Sequence, residues 1–137
     1  MAWRIVALCL LLLCGTSSCG HQAVAPIPNK VRTVEIGETV APLELIVAPG
    51  EEVRWSNRRD KAVRLGFLSV SLLNDVACEQ GVKTLFGTIQ DLITIPPGGS
   101  ISLCFVRNGE LRYNVWFDAE DPRGAMSPTG TIHVGRI

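Results

Sequence analysis

The side chains of this 137-residue chain best suited to soft-metal or nucleophilic chemistry are five cysteines, two histidines and two methionines. They are sparsely spaced. His21 and His133 stand far apart, and no CxxC, HExxH, GxSxG elbow or phosphate-binding loop occurs. A nucleophile activated by a base needs a usable imidazole, so the sequence predicts a protein that is not an enzyme. His133, on a predicted final strand, reads as a surface or satisfied imidazole rather than a ligand. Asp118, Glu120 and Asp121 lie close in sequence, but they lack the glycine and terminal glutamate of a calcium loop. The most suggestive stretch is GELRYNVWFDAEDPRGAMSPTGTIHV, Gly109 to Val134: a strand, a loop ending in Met126, and a closing strand.

Upstream of the elements that position these residues, the chain opens as MAWRIVALCLLLLCGTSSCGHQ. It has one early cation at Arg4, an apolar run from Ile5 to Leu13, and then small residues, the layout of a secretory signal too short to span a bilayer. Gly15, Thr16, Ser17 and Ser18 followed by Cys19 resemble a bacterial lipobox. That resemblance implies cleavage after Ser18 and a membrane anchor of diacylglycerol and palmitate-type acyl chains on Cys19. Gly20, in place of an acidic residue, points by analogy to the outer membrane, with the protein facing the periplasm. The expected organisation is a signal peptide over 1–18, a flexible tether over 19–30 that carries prolines without apolar periodicity, and a folded domain over 31–137. Thirteen Lys and Arg balance thirteen Asp and Glu, and loss of Arg4 with the signal leaves a net charge of minus one. This excludes bulk attraction to nucleic acid.

Cys9 and Cys14 leave with the signal and Cys19 is claimed by lipid, so Cys78 and Cys104 remain in an oxidising compartment. They are expected to form one disulfide, worth about 3 kcal/mol on the chain-entropy argument. The other reading of the same pair is two thiolates on a soft metal, although they lack any ligand-spacing signature.

The segments LELIV, EEVRWSN, AVRLGFLSV, LITI, SISLCFV, LRYNVWF and TGTIHV recur between APGE, PPGG, RNGE and DPRG turns, which predicts an all-β sandwich. SLLNDVACEQG is the one expected helical interruption. Leu111, Tyr113, Val115 and Phe117 alternate with Arg112, Asn114 and Trp116, so the first set should face the core. Trp116 on the other face is either a recognition surface or packed beneath a neighbouring loop.

LELIVAPGEEVRWSN resembles the early strand, Pro-Gly turn and Trp-x-Asn strand of the cupredoxins. IPPGGSISLCFVRNGELRYNVWF followed by MSPTGTIHV resembles their last three strands. The resemblance implies a Greek-key β-sandwich of cupredoxin type with a degenerate copper site. In copper-bearing members a cysteine thiolate and two imidazoles hold the metal, with a methionine weakly axial. On that frame Phe117 takes the cysteine position, Glu120 falls near one histidine, Met126 retains the methionine, and the other histidine falls at Val63 or Arg64. RRDKAVR and FDAEDPR are expected either to form a bridge between Arg64 and Glu120 that pins the loops copper would otherwise hold, or to be two unrelated, solvated charge runs.

Together these readings predict a lipid-anchored cell-envelope module, binding or structural, with no type 1 copper and no other cofactor. An envelope protein of unstated identity is its expected partner besides the membrane. The alternative is a copper-binding or electron-transfer protein using an unorthodox set such as Met126 with Cys78 or Cys104. A third reading makes it an accessory subunit of an envelope redox complex.

Overall fold

Alternating apolar residues, interrupted by Pro-Gly turns, build ten strands in the computed structural model, which describes residues 30–69, 71–82 and 91–135. The signal peptide, Cys19, His21 and the tether expectation lie outside the described residues. The strands are β1 (Val31–Ile36), β2 (Val40–Ala41), β3 (Glu44–Val47), β4 (Glu52–Asn57), β5 (Val63–Phe67), β6 (Val76–Gln80), β7 (Leu92–Ile95), β8 (Ser100–Phe105), β9 (Gly109–Trp116) and β10 (Gly130–Val134). They form two five-stranded sheets, ordered β2-β1-β4-β8-β6 and β3-β10-β9-β5-β7. The β1/β4 and β3/β10 pairs are parallel and the rest antiparallel.

Two turns show how directly sequence dictates the connections. Pro49 and Gly50 occupy the centre of a turn in which Glu51 N–H donates to Ala48 O at 3.1 Å, and Gly50 has φ of 90°. Pro97 and Gly98 repeat the arrangement, with Gly99 N–H on Pro96 O at 2.9 Å and Gly98 at φ 69°. Proline presets the first central position, and glycine accepts the positive φ that the second requires.

The sheets bury their inward rows against each other. Val34, Ile36, Val53, Trp55 and Leu103 from one meet Val63, Leu65, Ile95, Leu111, Tyr113, Val115 and Ile132 from the other, all 0% exposed. Trp55 sits at the centre, edge-on to Phe67 and to Tyr113 with ring centroids 5.6 Å apart in each case. The Trp55 Nε1–H and Tyr113 hydroxyl are buried without a well-formed partner. The indole lies near enough to favour the ionised phenol slightly, yet burial dominates and pushes Tyr113 up to about 12.

SLLNDVACEQG divides in two. Only Ser71–Asn74 forms a 3-10 turn, and Val76–Gln80 continues as β6, paired antiparallel with β8. β1 and β2 also lie outside the strands predicted from sequence. β6 places Cys78 directly opposite Cys104, Cα atoms 4.9 Å apart, and the two form the expected disulfide across 26 residues.

Candidate functional site

At the end of the sandwich where β4 and β9 finish, side chains tie together loops that are distant in sequence. Asn57, the last residue of β4, is 0% exposed. Its Nδ2 donates to Lys61 O at 2.8 Å, Pro96 O at 3.0 Å and Ile95 O at 3.1 Å, and its Oδ1 accepts from Arg59 N–H at 3.0 Å. One amide therefore fixes both the β4–β5 loop and the β7–β8 turn, satisfying carbonyls that neither sheet could pair.

The 117–129 loop is fastened in the same manner. Ala119 N–H donates to Ala62 O at 2.9 Å, and Lys61 Nζ lies 2.7 Å from Asp118 Oδ2. The Lys61 hydrogen bond holds the Asp118 carboxyl below its ordinary value, and Asp118 in turn raises Lys61. Phe117 N–H donates to Ala125 O at 3.0 Å and Ser127 N–H to Val115 O at 2.8 Å, while the Ser127 hydroxyl accepts from Val115 N–H at 2.9 Å. The loop is thus closed by its own backbone and by short polar side chains.

Val63 is buried in the core. Phe117 is half-buried, packs against the core, and carries the Arg59 guanidinium 5.0 Å from its ring centroid. Arg59 also donates to Gly37 O at 2.9 Å, so one cation joins the β1–β2 turn to the end of β9. Glu120 is exposed, with its backbone N–H on Asp118 Oδ1 at 3.0 Å. Met126 forms a backbone bridge with Trp116 and is 50% exposed. Bridged residues share a face, which turns the thioether toward the outside of the sheet beside Trp116.

Arg64 does not meet Glu120. It stands opposite Trp116 in the β5–β9 register and lines a shallow cleft of about 160 Å³ with Leu92, Trp116 and Pro122. The correction follows from alternation: Val63 and Leu65 take the inward positions, so Arg64 points out of the sandwich, and Lys61 in the loop makes the interloop pair instead. Trp116 lies across the outer face of Gly66, where an added Cβ would fall 2.7 Å from the indole. His133 is half-buried on β10 with Nδ1 3.7 Å from Glu110 Oε2.

No family model matches the sequence, and no curated protein is significantly similar to it. Solved structures do resemble the fold. A reduced Cu(I) form at pH 4 of a proline-to-glycine variant of amicyanin superposes with a TM-score of 0.53 at 18% identity, covering 80% of this chain and 86% of that one. A reduced tryptophan-to-tyrosine variant of amicyanin gives 0.54 at 17% identity over the same shares. The Cu(I) form of a methionine-to-alanine variant gives 0.54 at 18%. The domain is cupredoxin-like. Identities this low establish the fold alone.

The residues of this cupredoxin-like domain do not fit type 1 copper. That centre needs a thiolate and two imidazoles. Phe117 offers a ring already covered by a guanidinium, Val63 an alkyl group, and Glu120 an exposed carboxylate. Met126 faces outward, and Cys78 and Cys104 are joined to each other. Among the described residues no three of His, Cys, Asp and Glu gather as a metal-holding group. Sequence reasoning missed the Arg59–Phe117 stack. Its only sequence signal was a cationic run, RRDKAVR, placed after the Trp-x-Asn strand.

Proposed function

We propose that the chain is a lipid-anchored cell-envelope binding module that has retained the cupredoxin frame, carries no type 1 copper, and has no catalytic activity of its own. The observation that supports this most is Arg59 stacked on Phe117, because a fixed cation and an aromatic ring stand where the family resemblance calls for a metal and its thiolate. The loops are closed by hydrogen bonds from Asn57 and Ser127 and by the Lys61–Asp118 pair, so they need no metal to hold their shape. The Gly15 to Cys19 pattern supports the anchor, and Gly20 beside the cysteine supports an outer-membrane, periplasm-facing location. Lys30 lies at the end of the sandwich opposite the 117–129 loop, so an anchor at Cys19 would favour that loop as the face offered to an envelope protein.

Copper is the natural rival, since the structural neighbours are copper proteins, and titration of the full chain separates the readings. The solution should stay colourless, and any copper taken up should be removed by a mild chelator, because a lone thioether is a poor ligand for Cu(II). Stoichiometric, tightly held copper with intense copper–thiolate absorption would overturn the proposal in favour of electron transfer. Crosslinking in intact membranes would identify the partner and test the accessory-subunit reading.

A further inference from the structure

The end of the sandwich from which the tether departs carries an open cleft of about 570 Å³, lined by Lys30, Arg32, Ile46, Pro49, Glu51 and Asn108 among others. Its floor holds an unusual residue. Glu51 is a carboxylate only 1% exposed, which accepts from Ala48 N–H at 3.1 Å, pairs with Lys30 Nζ, and lies 3.4 Å from Arg32 Nε. A buried charge persists only with partners, and here two cations serve one carboxylate.

The arrangement leaves positive charge in excess at the rim. Lys30 and Arg32 keep half-exposed side chains, 50% and 46%, while Glu51 holds the Lys30 Nζ and the Arg32 Nε from below. Arg32 engages Glu51 through Nε alone, and its two terminal nitrogens donate to no described residue. A guanidinium so placed has its planar fork available for an anion. Two other carboxylates at this end are already paired, Glu52 with Arg54 at 2.7 Å and Asp75 with Arg107 at 2.8 Å, and Glu110 lies 3.7 Å from His133. An apolar group flanks the cations: Ile46, 56% exposed, lines the same cleft. Oriented cations beside an apolar side chain match the boundary between phosphate headgroups and acyl chains.

We propose that this cleft seats the phosphate of an anionic phospholipid headgroup, so that the domain rests on its membrane at the tether end. The inference rests on the Cys19 anchor proposed above, which is eleven residues from Lys30 and so keeps it within about 40 Å of the lipid surface. At that range a contact too weak to recruit the protein from solution can still orient it.

The test uses the full chain purified from membranes and placed in vesicles of phosphatidylcholine, with or without phosphatidylglycerol. An amine-reactive reagent and mass spectrometry compare acylation of Lys30 with that of Lys61 at the far end. Phosphatidylglycerol should slow labelling of Lys30 about fivefold relative to Lys61, the effect of one cation at an anionic surface. At about 1 M salt, where screening acts within about 3 Å, the protection should vanish. Arg32→Gln and Ile46→Ser leave the Glu51–Lys30 pair in place, and each should reduce it.

Equal Lys30 labelling in both kinds of vesicle would overturn the proposal, as would protection unchanged in both variants. Protection by inorganic phosphate alone would assign a free-anion site and overturn the lipid source. Intact mass reports the anchor separately. Lipidated protein with unprotected Lys30 removes the headgroup site alone, and unlipidated protein with protected Lys30 removes the anchor alone. Unlipidated and unprotected protein removes both.

Discussion

The guanidinium of Arg59 lies 5.0 Å from the centre of the Phe117 ring, so a side-chain cation covers the residue that the sequence resemblance aligns with a copper-binding cysteine. The contact spans two elements far apart in sequence. It should therefore appear as coupling in a double-mutant cycle.

Arg59→Ala and Phe117→Leu should each destabilise the domain, and urea unfolding of the single and double variants should give a coupling of about 0.5–1 kcal/mol. Arg59→Lys should recover part of it, because the charge is kept while the planar group and its bond to Gly37 O are lost. Strict additivity would mean that the stack contributes nothing.

Burial holds the Tyr113 hydroxyl neutral up to about 12, and that hydroxyl has no well-formed partner. Tyr113→Phe should be neutral or stabilising by up to about 1 kcal/mol, because no made hydrogen bond is lost. Gly130→Ala should do the opposite: its Cβ would fall 2.2 Å from Tyr113 Cζ, and overpacking of this kind costs about 1–3 kcal/mol. A raised folded value means that the native state holds the proton longer. The tyrosine's contribution is present below the unfolded value of 10.0 and is lost as pH rises toward about 12, and ultraviolet phenolate absorption should accompany unfolding.

Thiol counting in denaturant without reductant should find Cys78 and Cys104 unreactive. Cys104→Ala or reduction should lower stability by about 3 kcal/mol, read as a shift in the urea midpoint. Full reactivity of both thiols would refute the bridge.

Burial alone would raise the Glu51 carboxyl, but Lys30, the Ala48 N–H and Arg32 outweigh it and hold the group below its ordinary 4.5. The unfolded chain therefore binds this proton first as pH falls. Glu51 should contribute stability above pH 4.5 and lose it as pH drops through the lower folded value. Glu35, held down chiefly by Arg58, and Asp118, held down chiefly by Lys61, act in the same direction. Glu51→Gln should flatten part of the acid limb of an unfolding-versus-pH profile and leave a remainder. An unchanged profile would show that the buried carboxylate carries no linkage.

The sequence by itself determined the features that depend on near neighbours along the chain. Pro49-Gly50 and Pro97-Gly98 form turns because each pair carries its own φ preferences. Leu111, Tyr113 and Val115 face inward because a strand alternates every second residue. The thiolate and imidazoles missing from Phe117, Glu120 and Val63 were likewise legible, since a missing donor atom needs no structure to be noticed. Only the tertiary structure decided which distant groups meet. Lys61 rather than Arg64 pairs with a carboxylate of the 117–129 loop because β5 directs Arg64 outward, and Met126 turns away because its backbone pairs with Trp116. Val76–Gln80 became a strand because β8 supplied an edge to pair with, a partner 26 residues away at the cysteines. Glu51 became a buried charge because folding brought the start of β1 over the turn before β4, and contacts closed across such long loops leave no periodic trace in the chain.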